Sequence, residues 1–132
     1  MATSVGLTRV SWQCIHFLAL DAAERAKREL ADAGALAIFV DGSVIRNEEH
    51  LFAEFAAAME FPDYFGWNWD TFDQCVRDLN WLPAEGYVVF VYHAEQLWSY
   101  VPRVAGALAE AWLLAASHWA IAEVSFHLVF VW

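Results

Sequence analysis

The chain has 132 residues, enough for one domain with a single buried core. It carries 7 Lys and Arg residues against 17 Asp and Glu residues, so its formal net charge is −10 at pH 7. Such a charge repels phosphate backbones and anionic lipid headgroups. Nucleic acid and membrane surfaces are therefore excluded as expected partners, and a basic protein surface is favoured.

The two cysteines and the amino-terminal residues predict the cellular compartment of the chain. Cys14 and Cys75 lie far apart without paired spacing, which predicts free thiols in a reducing compartment. The start, MATSVGLTRVSW, lacks the basic residues and apolar run of a secretory leader. The run AWLLAASHWAIA after Glu110 is too short to span a bilayer and contains His118, so it predicts a buried helix. We expect a soluble cytoplasmic protein.

The first predicted elements are a strand, a helix and a second strand. SWQCIHFLAL, residues 11–20, has strand character, and the next helix is expected to start at Asp21, with Glu24 completing a capping box. Gly34 suits the position just past its end. ALAIFVDG, residues 35–42, is apolar at successive positions, which is typical of a parallel strand covered on both faces. The predicted buried face of the helix consists of Ala23, Ala26, Leu30 and Ala33.

The later elements continue the alternation. Asn47 is the predicted cap of a helix that Pro62 ends. Residues 87–93 and 125–132 predict two strands, and residues 101–119 predict the long helix between them, with Pro102 in its first turn. The pattern predicts one α/β layer fold with a small parallel sheet. Six residues are expected in its adjacent buried strands: Ile38, Val40, Val89, Val91, Val129 and Val131.

The segment FPDYFGWNWDTFDQCVRDLNWLP, residues 61–83, is both strongly aromatic and strongly acidic. Gly66 is where the chain is expected to turn, and Asn68 is the predicted cap of the following helix. The predicted core face of this helix is Trp69, Phe72, Val76 and Leu79, and the predicted outward face is Asp70, Asp73, Gln74 and Arg77. Spacing alone indicates a solvated helix face, with acids favoured near its start by the helix dipole. Tyr64 and Trp67 in the preceding loop favour a protein-binding patch instead.

Other chemistry finds little support in the residues. The five histidines show no paired metal-ligand spacing, and no nucleophile stands beside a base, so we predict no metal site, no cofactor, no small-molecule substrate and no enzyme activity. Trp67 and Trp81 flank the acidic helix and are predicted to be exposed. The tryptophans predicted to be core are Trp12, Trp98, Trp112, Trp119 and Trp132.

The stretch FPDYFGWNWDTFDQCVRDL resembles the signature of the barstar family, the intracellular inhibitors of barnase-type ribonucleases. In that family a Pro, an acidic residue, Tyr, an aromatic residue, Gly, a variable residue, Asn, an apolar residue and Asp lead into a helix that contains Cys. The resemblance covers roughly residues 35–132 and implies a three-layer α/β fold. Residues 1–34 are then a strand-helix extension of the same domain that adds one parallel strand. This extension and DLNWLP are more similar to the wider bacterial barstar-like group than to barstar itself.

Position by position, the resemblance implies a binding site with two departures. Tyr64, Asn68 and Asp70 match the family's ribonuclease-binding loop and helix, and Cys75 matches its helix cysteine. Asp73 and Gln74 stand where barstar carries a tryptophan and then its most important aspartate. A further acidic contact of the family falls near Leu113, Leu114 and Ala115, where this chain has no charge.

The function implied is that of an inhibitor or immunity protein. It would bind a basic, extracellular-type ribonuclease or related toxin in a 1:1 complex and occlude its active site. The expected binding residues are Tyr64, Trp67, Asn68, Asp70, Asp73, Gln74 and Trp81. Asp73 is expected to take over part of the role of the carboxylate that Gln74 lacks, since adjacent helix positions differ by about 100°. The alternative is a regulatory or structural interaction module that keeps the fold but binds no nuclease.

Overall fold

One or two α-helices separate successive strands along residues 6–132, the part of the chain that the computed structural model describes. Within these residues the strands are β1 (Ile15–Leu18), β2 (Ala35–Asp41), β3 (Gly86–Tyr92) and β4 (Ser125–Val131). The α-helices are α1 (Leu20–Leu30), α2 (Glu48–Ala58), α3 (Trp69–Asp78), α4 (Ala94–Tyr100) and α5 (Pro102–Ile121). Short 3-10 turns follow α1 and β2.

All four strands run parallel in one sheet, in the order β1-β4-β3-β2. Across the sheet, Ile38 pairs with Val89 and Val89 pairs with Leu128. The predicted parallel sheet is confirmed, and all six strand residues predicted to be buried are buried. Continuous apolar strands of this kind need helices on both faces.

Two apolar clusters, one on each face of the sheet, make the fold three-layered as predicted. The larger cluster packs α2, α3, α4 and α5 against one face, with Phe55, Phe72 and Trp112 among its largest fully buried side chains. The smaller cluster packs Ala23, Ala26 and Leu30 of α1 against the other face. The sheet therefore holds α3 and α5 side by side on the face opposite α1.

The amino-terminal unit adds one parallel strand, as predicted, at the edge of the sheet farthest from β2. β1 pairs with β4, and α1 then leads back across the sheet to β2. A histidine pair, of which His127 is buried and His16 partly buried, supports this pairing: His16 Nε2 lies 2.9 Å from His127 Nδ1, and His127 Nε2 lies 2.7 Å from the carbonyl oxygen of Arg9. Because a carbonyl only accepts, His127 Nε2 carries the proton and Nδ1 accepts from His16.

The start of α1 differs from the prediction. The helix begins at Leu20 after Ala19, which makes no side-chain cap, so the predicted capping box at Asp21 is wrong. The carbonyl oxygen of Trp132 accepts from the Leu20 amide, so the end of β4 satisfies a group that a cap would otherwise serve. Ala33 is exposed because the last residues form a 3-10 turn. Gly34 follows in the left-handed conformation, φ 71°.

Strand β2 lies at the edge of the sheet. The prediction that it is covered on both faces is wrong. Phe39 is exposed, and Lys27 lies over its ring, 5.1 Å from the centroid.

Helix α4 was not predicted. It follows His93, whose φ of 55° turns the chain directly out of β3, and a seven-residue helix is too short for a clear apolar period.

Helix α5 is the one helix of the described residues that is long and apolar enough to cross a membrane by length and composition. In the fold it packs on the sheet, where Trp112 stacks on Phe126 with 4.5 Å between ring centroids. Leu113, Leu114 and Ile121 are exposed. The predicted buried helix is therefore buried along one face only.

The tryptophans divide differently from the prediction. Trp112 is fully buried, and Trp98 and Trp119 are partly buried against the core. Trp12, which is 83% exposed, and Trp132 were predicted wrongly as core residues. Both lie just outside their strands, where no second layer covers them.

Candidate protein-binding surface

The loop between α2 and α3 is anchored by one buried side chain. Phe65 packs edge-on against Phe52, at 5.6 Å, and against Phe61, at 5.0 Å. With Phe65 held in the core, its neighbours Tyr64 and Trp67 remain exposed. The aromatic content of the segment therefore serves two purposes, because some rings fix the loop and others face solvent.

Asn68 is the cap of α3, as predicted. Its Oδ1 accepts from the Thr71 amide at 2.8 Å and from the Thr71 hydroxyl at 3.0 Å. Its Nδ2 donates to the carbonyl oxygen of Gly66 at 3.2 Å, and the Gly66 amide donates to Thr71 Oγ1 at 2.8 Å. Within the described residues, both ends of the Asn68 amide are engaged, so Asn68 shapes the loop from which its neighbours project.

Trp67, with φ 57°, is left-handed in this loop, as is Glu60, with φ 54°, whereas Gly66 is not. Glycine is needed at 66 for space: a Cβ there would lie 3.1 Å from Asn68 Nδ2 and 3.4 Å from Thr71 Oγ1. A bulky aromatic residue at positive φ is strained. The ring of Trp67 packs on Phe65, at 5.6 Å, yet is 54% exposed. The loop therefore presents a large apolar side chain to solvent in a strained backbone conformation.

Tyr64 is held by a carboxylate that the sequence did not single out. Its hydroxyl donates to Asp78 Oδ2 at 3.0 Å, and burial of the hydroxyl, together with this bond, raises the pKa of Tyr64. Asp78 follows Gln74 by one helical turn, a spacing that could have identified it. Trp81 packs edge-on against Tyr64, and its indole donates to the Met59 carbonyl at 2.8 Å. Trp81 is thus partly buried, and its predicted exposure is wrong.

The outward face of α3 is correctly predicted for Asp70, Gln74 and Arg77 but not for Asp73. Asp73 is partly buried, because α5 packs beside α3. Burial raises the pKa of Asp73, with Arg77 acting in the opposite direction and Asp70 and Glu110 adding to the rise. On the other side of α3, Phe72, Val76 and Leu79 are buried as predicted, and Trp69 is partly buried against the core.

Two neighbouring grooves run along this surface. The first, a shallow depression of about 490 Å³, is lined by Tyr64, Gln74, Arg77, Asp78 and His118. The second, which we term the α3–α5 groove, has a volume of about 330 Å³. Its lining is Asp73, Arg77, Ala111, Leu114, Ala115, Ser117, His118 and Ile121. The resemblance pointed to α5 only near Leu113, Leu114 and Ala115, and sequence reasoning missed the groove that α5 forms with α3, because nothing in the sequence fixes how the two helices pack.

One thiol, that of Cys75, lies buried beneath this surface. Burial raises the pKa of the Cys75 thiol, which disfavours the nucleophilic thiolate. Cys14 and Cys75 are both free. Among residues 6–132 no group of three or more His, Cys, Asp or Glu side chains is placed to hold a metal ion. What remains is a set of exposed rings and carboxylates on one loop and one helix.

Comparison with models of protein families identifies a match. The model of the family described as Barstar (barnase inhibitor) matches residues 35–131. The matched part contains the loop, α3, both grooves and strands β2 to β4, while β1 and α1 precede it. No curated protein matches the chain.

Proposed function

Because this chain belongs to the barstar family of barnase inhibitors, we propose that it is an inhibitor or immunity protein that binds a basic ribonuclease or related toxin and covers its active site. One observation carries the proposal. Exposed aromatic anchors, Tyr64 and Trp67, stand beside the carboxylates of Asp70 and Asp78 on one loop and helix of the matched region. Rigid aromatic rings with adjacent charge are typical of binding hot spots.

Inhibition would proceed by occlusion. Carboxylates on α3 stand in for the phosphates of RNA, and the net charge of −10 speeds encounter with a basic enzyme. Tyr64, fixed by Asp78, and Trp67, fixed by the capped loop, lose little freedom on binding because both are already held. One chain would cover one active site, which gives a 1:1 complex.

Recognition would be shifted relative to the family pattern. Gln74 is exposed where the family places its most important carboxylate, and Asp73 next to it is partly buried toward α5. Asp78 is the acidic residue that shares the first groove with Gln74. We propose that Asp70, Asp78 and the accessible part of Asp73 together supply the negative charge that a single residue supplies in the family.

Binding to a panel of basic microbial ribonucleases, barnase included, tests the proposal. Asp70→Asn should slow association by about two- to fivefold at low salt and reduce its salt dependence, because an exposed rim charge acts mainly on encounter. Tyr64→Ala should raise the dissociation rate at least fivefold, roughly 1 kcal/mol or more, because it removes an anchor. Gln74→Asp should strengthen binding to barnase by about tenfold, or 1.4 kcal/mol.

Asp32→Asn is the matched control. It removes the same charge from an exposed site that follows α1, on the layer away from the proposed binding surface. Equal effects of Asp32→Asn and Asp70→Asn would mean that only net charge matters. If neither the wild-type chain nor Gln74→Asp binds any ribonuclease of the panel, the proposal is wrong and a non-inhibitory interaction module becomes the better account.

A further inference from the structure

Within the described residues the sheet has two edges, β1 and β2, and only β2 carries charges of the kind that discourage pairing with another sheet. Lys27 lies over the ring of Phe39 on that strand, and the strand ends at Asp41. Residues 10–20, which include β1, contain no Asp, Glu, Lys or Arg, although the chain has a net charge of −10. The β1 edge therefore lacks both a charge that repels a second copy and a carboxylate that attracts a basic partner.

The main-chain groups of β1 alternate between the sheet and the open edge. On the inner side, the carbonyl oxygens of Cys14 and Leu18 accept from the amides of Leu128 and Trp132. Alternate residues of a strand bond to the same neighbour, so Ile15 and Phe17 direct their amide and carbonyl groups away from β4. The edge thus offers the main-chain groups of two residues to a further strand.

Exposed apolar side chains lie at both ends of this edge. Toward the carboxyl end of β1, Phe17, Leu20 and Trp132 are each 53% exposed, and the rings of Phe17 and Trp132 lie 5.5 Å apart. Before the amino end, Trp12 is 83% exposed and lines a cavity of about 830 Å³ together with Leu113. One end of the edge therefore presents projecting side chains, and the other presents a cavity.

A second copy of this chain complements both ends at once. When two β1 strands pair antiparallel about a two-fold axis, the amino end of each lies beside the carboxyl end of the other. The projecting side chains of one copy then face the cavity of the other, and the reverse holds across the axis. A single foreign strand could complement only one end in this way.

One register satisfies the open main-chain groups. Pairing centred on His16 joins Ile15 of each copy to Phe17 of the other, with two hydrogen bonds on each side of the axis. Pairing centred on Phe17 would direct Ile15 to Ala19, whose carbonyl oxygen already serves helix α1. Pairing centred on Ile15 would direct Phe17 to Gln13, whose amide already donates to a serine hydroxyl. The register centred on His16 is therefore favoured.

This register also buries enough surface for a specific contact. Leu20 and Trp132 of each copy approach Trp12 of the other. If a fully accessible aromatic side chain presents about 200 Å², then Trp12, Phe17 and Trp132 expose roughly 400 Å² per chain, or about 800 Å² in a pair of chains. A specific interface needs about 1,000 Å² in total, and the aliphatic side chains and the strands themselves can supply the remainder.

We infer that two copies of this chain associate through their β1 edges, antiparallel about a two-fold axis near His16, to form one continuous sheet with four strands from each copy. The proposed ribonuclease-binding surface stays open in this dimer. Leu113 faces the cavity beside β1, whereas the next residue, Leu114, lines the α3–α5 groove. Each chain could still bind one enzyme, and the dimer does not depend on the proposed function.

Sedimentation equilibrium of the full chain, from about 1 to about 500 μM, tests the association. A closed monomer–dimer equilibrium is expected, with a Kd on the order of 10 μM for an interface of this size. Added salt should strengthen the association, because it screens the repulsion between two chains of charge −10 and the edge makes no ion pairs. A chain that stays monomeric, species that grow beyond the dimer, or weakening by salt would each overturn the inference.

Matched variants locate the interface. Phe17→Lys should raise the dimer Kd at least tenfold, because it places a charge on the open edge. Phe39→Lys is its control on the opposite edge, at 47% exposure against 53%, and should change the Kd less than twofold. Because Phe17 also packs on the core, a second pair leaves the strand intact: Leu113→Ser should raise the Kd about threefold, and Leu114→Ser should not. Equal effects within both pairs would contradict the assignment.

The register is tested on the unmodified chain by NMR. In a mixture of ¹³C-labelled and unlabelled protein at a concentration that saturates the dimer, isotope-filtered NOEs report only contacts between copies. NOEs from Ile15 of one copy to Phe17 of the other are expected, together with NOEs between Leu20 and Trp12. Intermolecular NOEs confined to Phe39 and its strand, or to the loop that carries Trp67, would refute pairing through β1.

Discussion

The histidine pair between β1 and β4 gives a prediction about stability and pH. His127 is 1% exposed and accepts from His16, so the hydrogen-bonded chain that ends at the Arg9 carbonyl requires the His127 ring to be neutral. His16 can donate through Nε2 in either protonation state, so its charged form is disfavoured by burial and not by the loss of this bond. Burial lowers the pKa of His16 to about 4, with a smaller contribution from His127, whose own pKa burial also lowers. Acid should therefore weaken the attachment of β1.

The magnitude follows from the displacement of the pKa. One pKa unit corresponds to about 1.36 kcal/mol, so a change from 6.5 to about 4 corresponds to roughly 3 kcal/mol. His16 keeps some solvent contact, so we expect about 1–2 kcal/mol from this residue. Between pH 6.5 and about 4 the unfolded chain binds the proton and the folded chain does not. With respect to His16, the free energy of unfolding should therefore be at its full value above about pH 6.5. It should decrease as the pH falls from 6.5 toward 4.

The assay is urea denaturation at pH 7.5 and pH 4.5, on the wild type, His16→Gln and His118→Gln. Glutamine at 16 can still donate to His127 but cannot titrate. The difference in unfolding free energy between the two pH values should shrink by about 1–2 kcal/mol in His16→Gln and stay unchanged in His118→Gln, whose ring is exposed. Comparison among the three proteins cancels the contributions of the groups that they share. An unaltered difference in His16→Gln, or an NMR titration of His16 near pH 6.5, would refute the reasoning.

Four further changes test the loop, helix α3 and the extension. Asn68→Ala should lower the free energy of unfolding by about 1–2 kcal/mol, measured by urea denaturation, because it removes the cap; an unchanged midpoint would contradict this role. Asp73→Asn should raise the thermal midpoint at pH 7 and Asp70→Asn should not, since only the first carboxylate is partly buried without a hydrogen-bond partner for Oδ1 in the described chain. Trp67→Gly should stay within about 1 kcal/mol of the wild type in stability, because relief of positive φ offsets the lost ring contact, and should lose ribonuclease binding; intact binding would remove Trp67 from the site. Deleting residues 1–34 should cost more than about 4 kcal/mol, because it uncovers one face of the sheet, and a fragment as stable as the full chain would make the extension a loose appendage.

Local signals in the sequence predicted local structure. Asn47 and Asn68 are followed by helical patterns, and both cap their helices through side-chain oxygens, since capping depends on residues three positions apart. The apolar runs of β3 and β4 predicted buried parallel strands for the same reason, because strand burial is written in successive residues.

What the sequence could not supply depends on packing between distant segments. Asp73 looked outward on a helical wheel, and only the placement of α5 makes it partly buried. The sequence predicted Trp81 to be an exposed loop residue. In the fold its indole donates to the carbonyl of Met59, 22 positions earlier, and this contact could not be predicted from local spacing. The partner of His16 lies 111 positions away, and no spacing rule reaches that far.

The pairing of β1 with β4 sets the order in which this chain can finish folding. Strand β1 leaves the ribosome before β4 and finds its place only when β4 has been made, since Ile15 and His16 contact residues of β4. In a nascent chain that stops before Ser125, β4 is missing, so α1 lacks part of the sheet surface on which it packs. Strand β3 is then left with an unpaired edge. Such unpaired edges invite pairing with other chains. Interrupted synthesis should therefore yield aggregation-prone fragments.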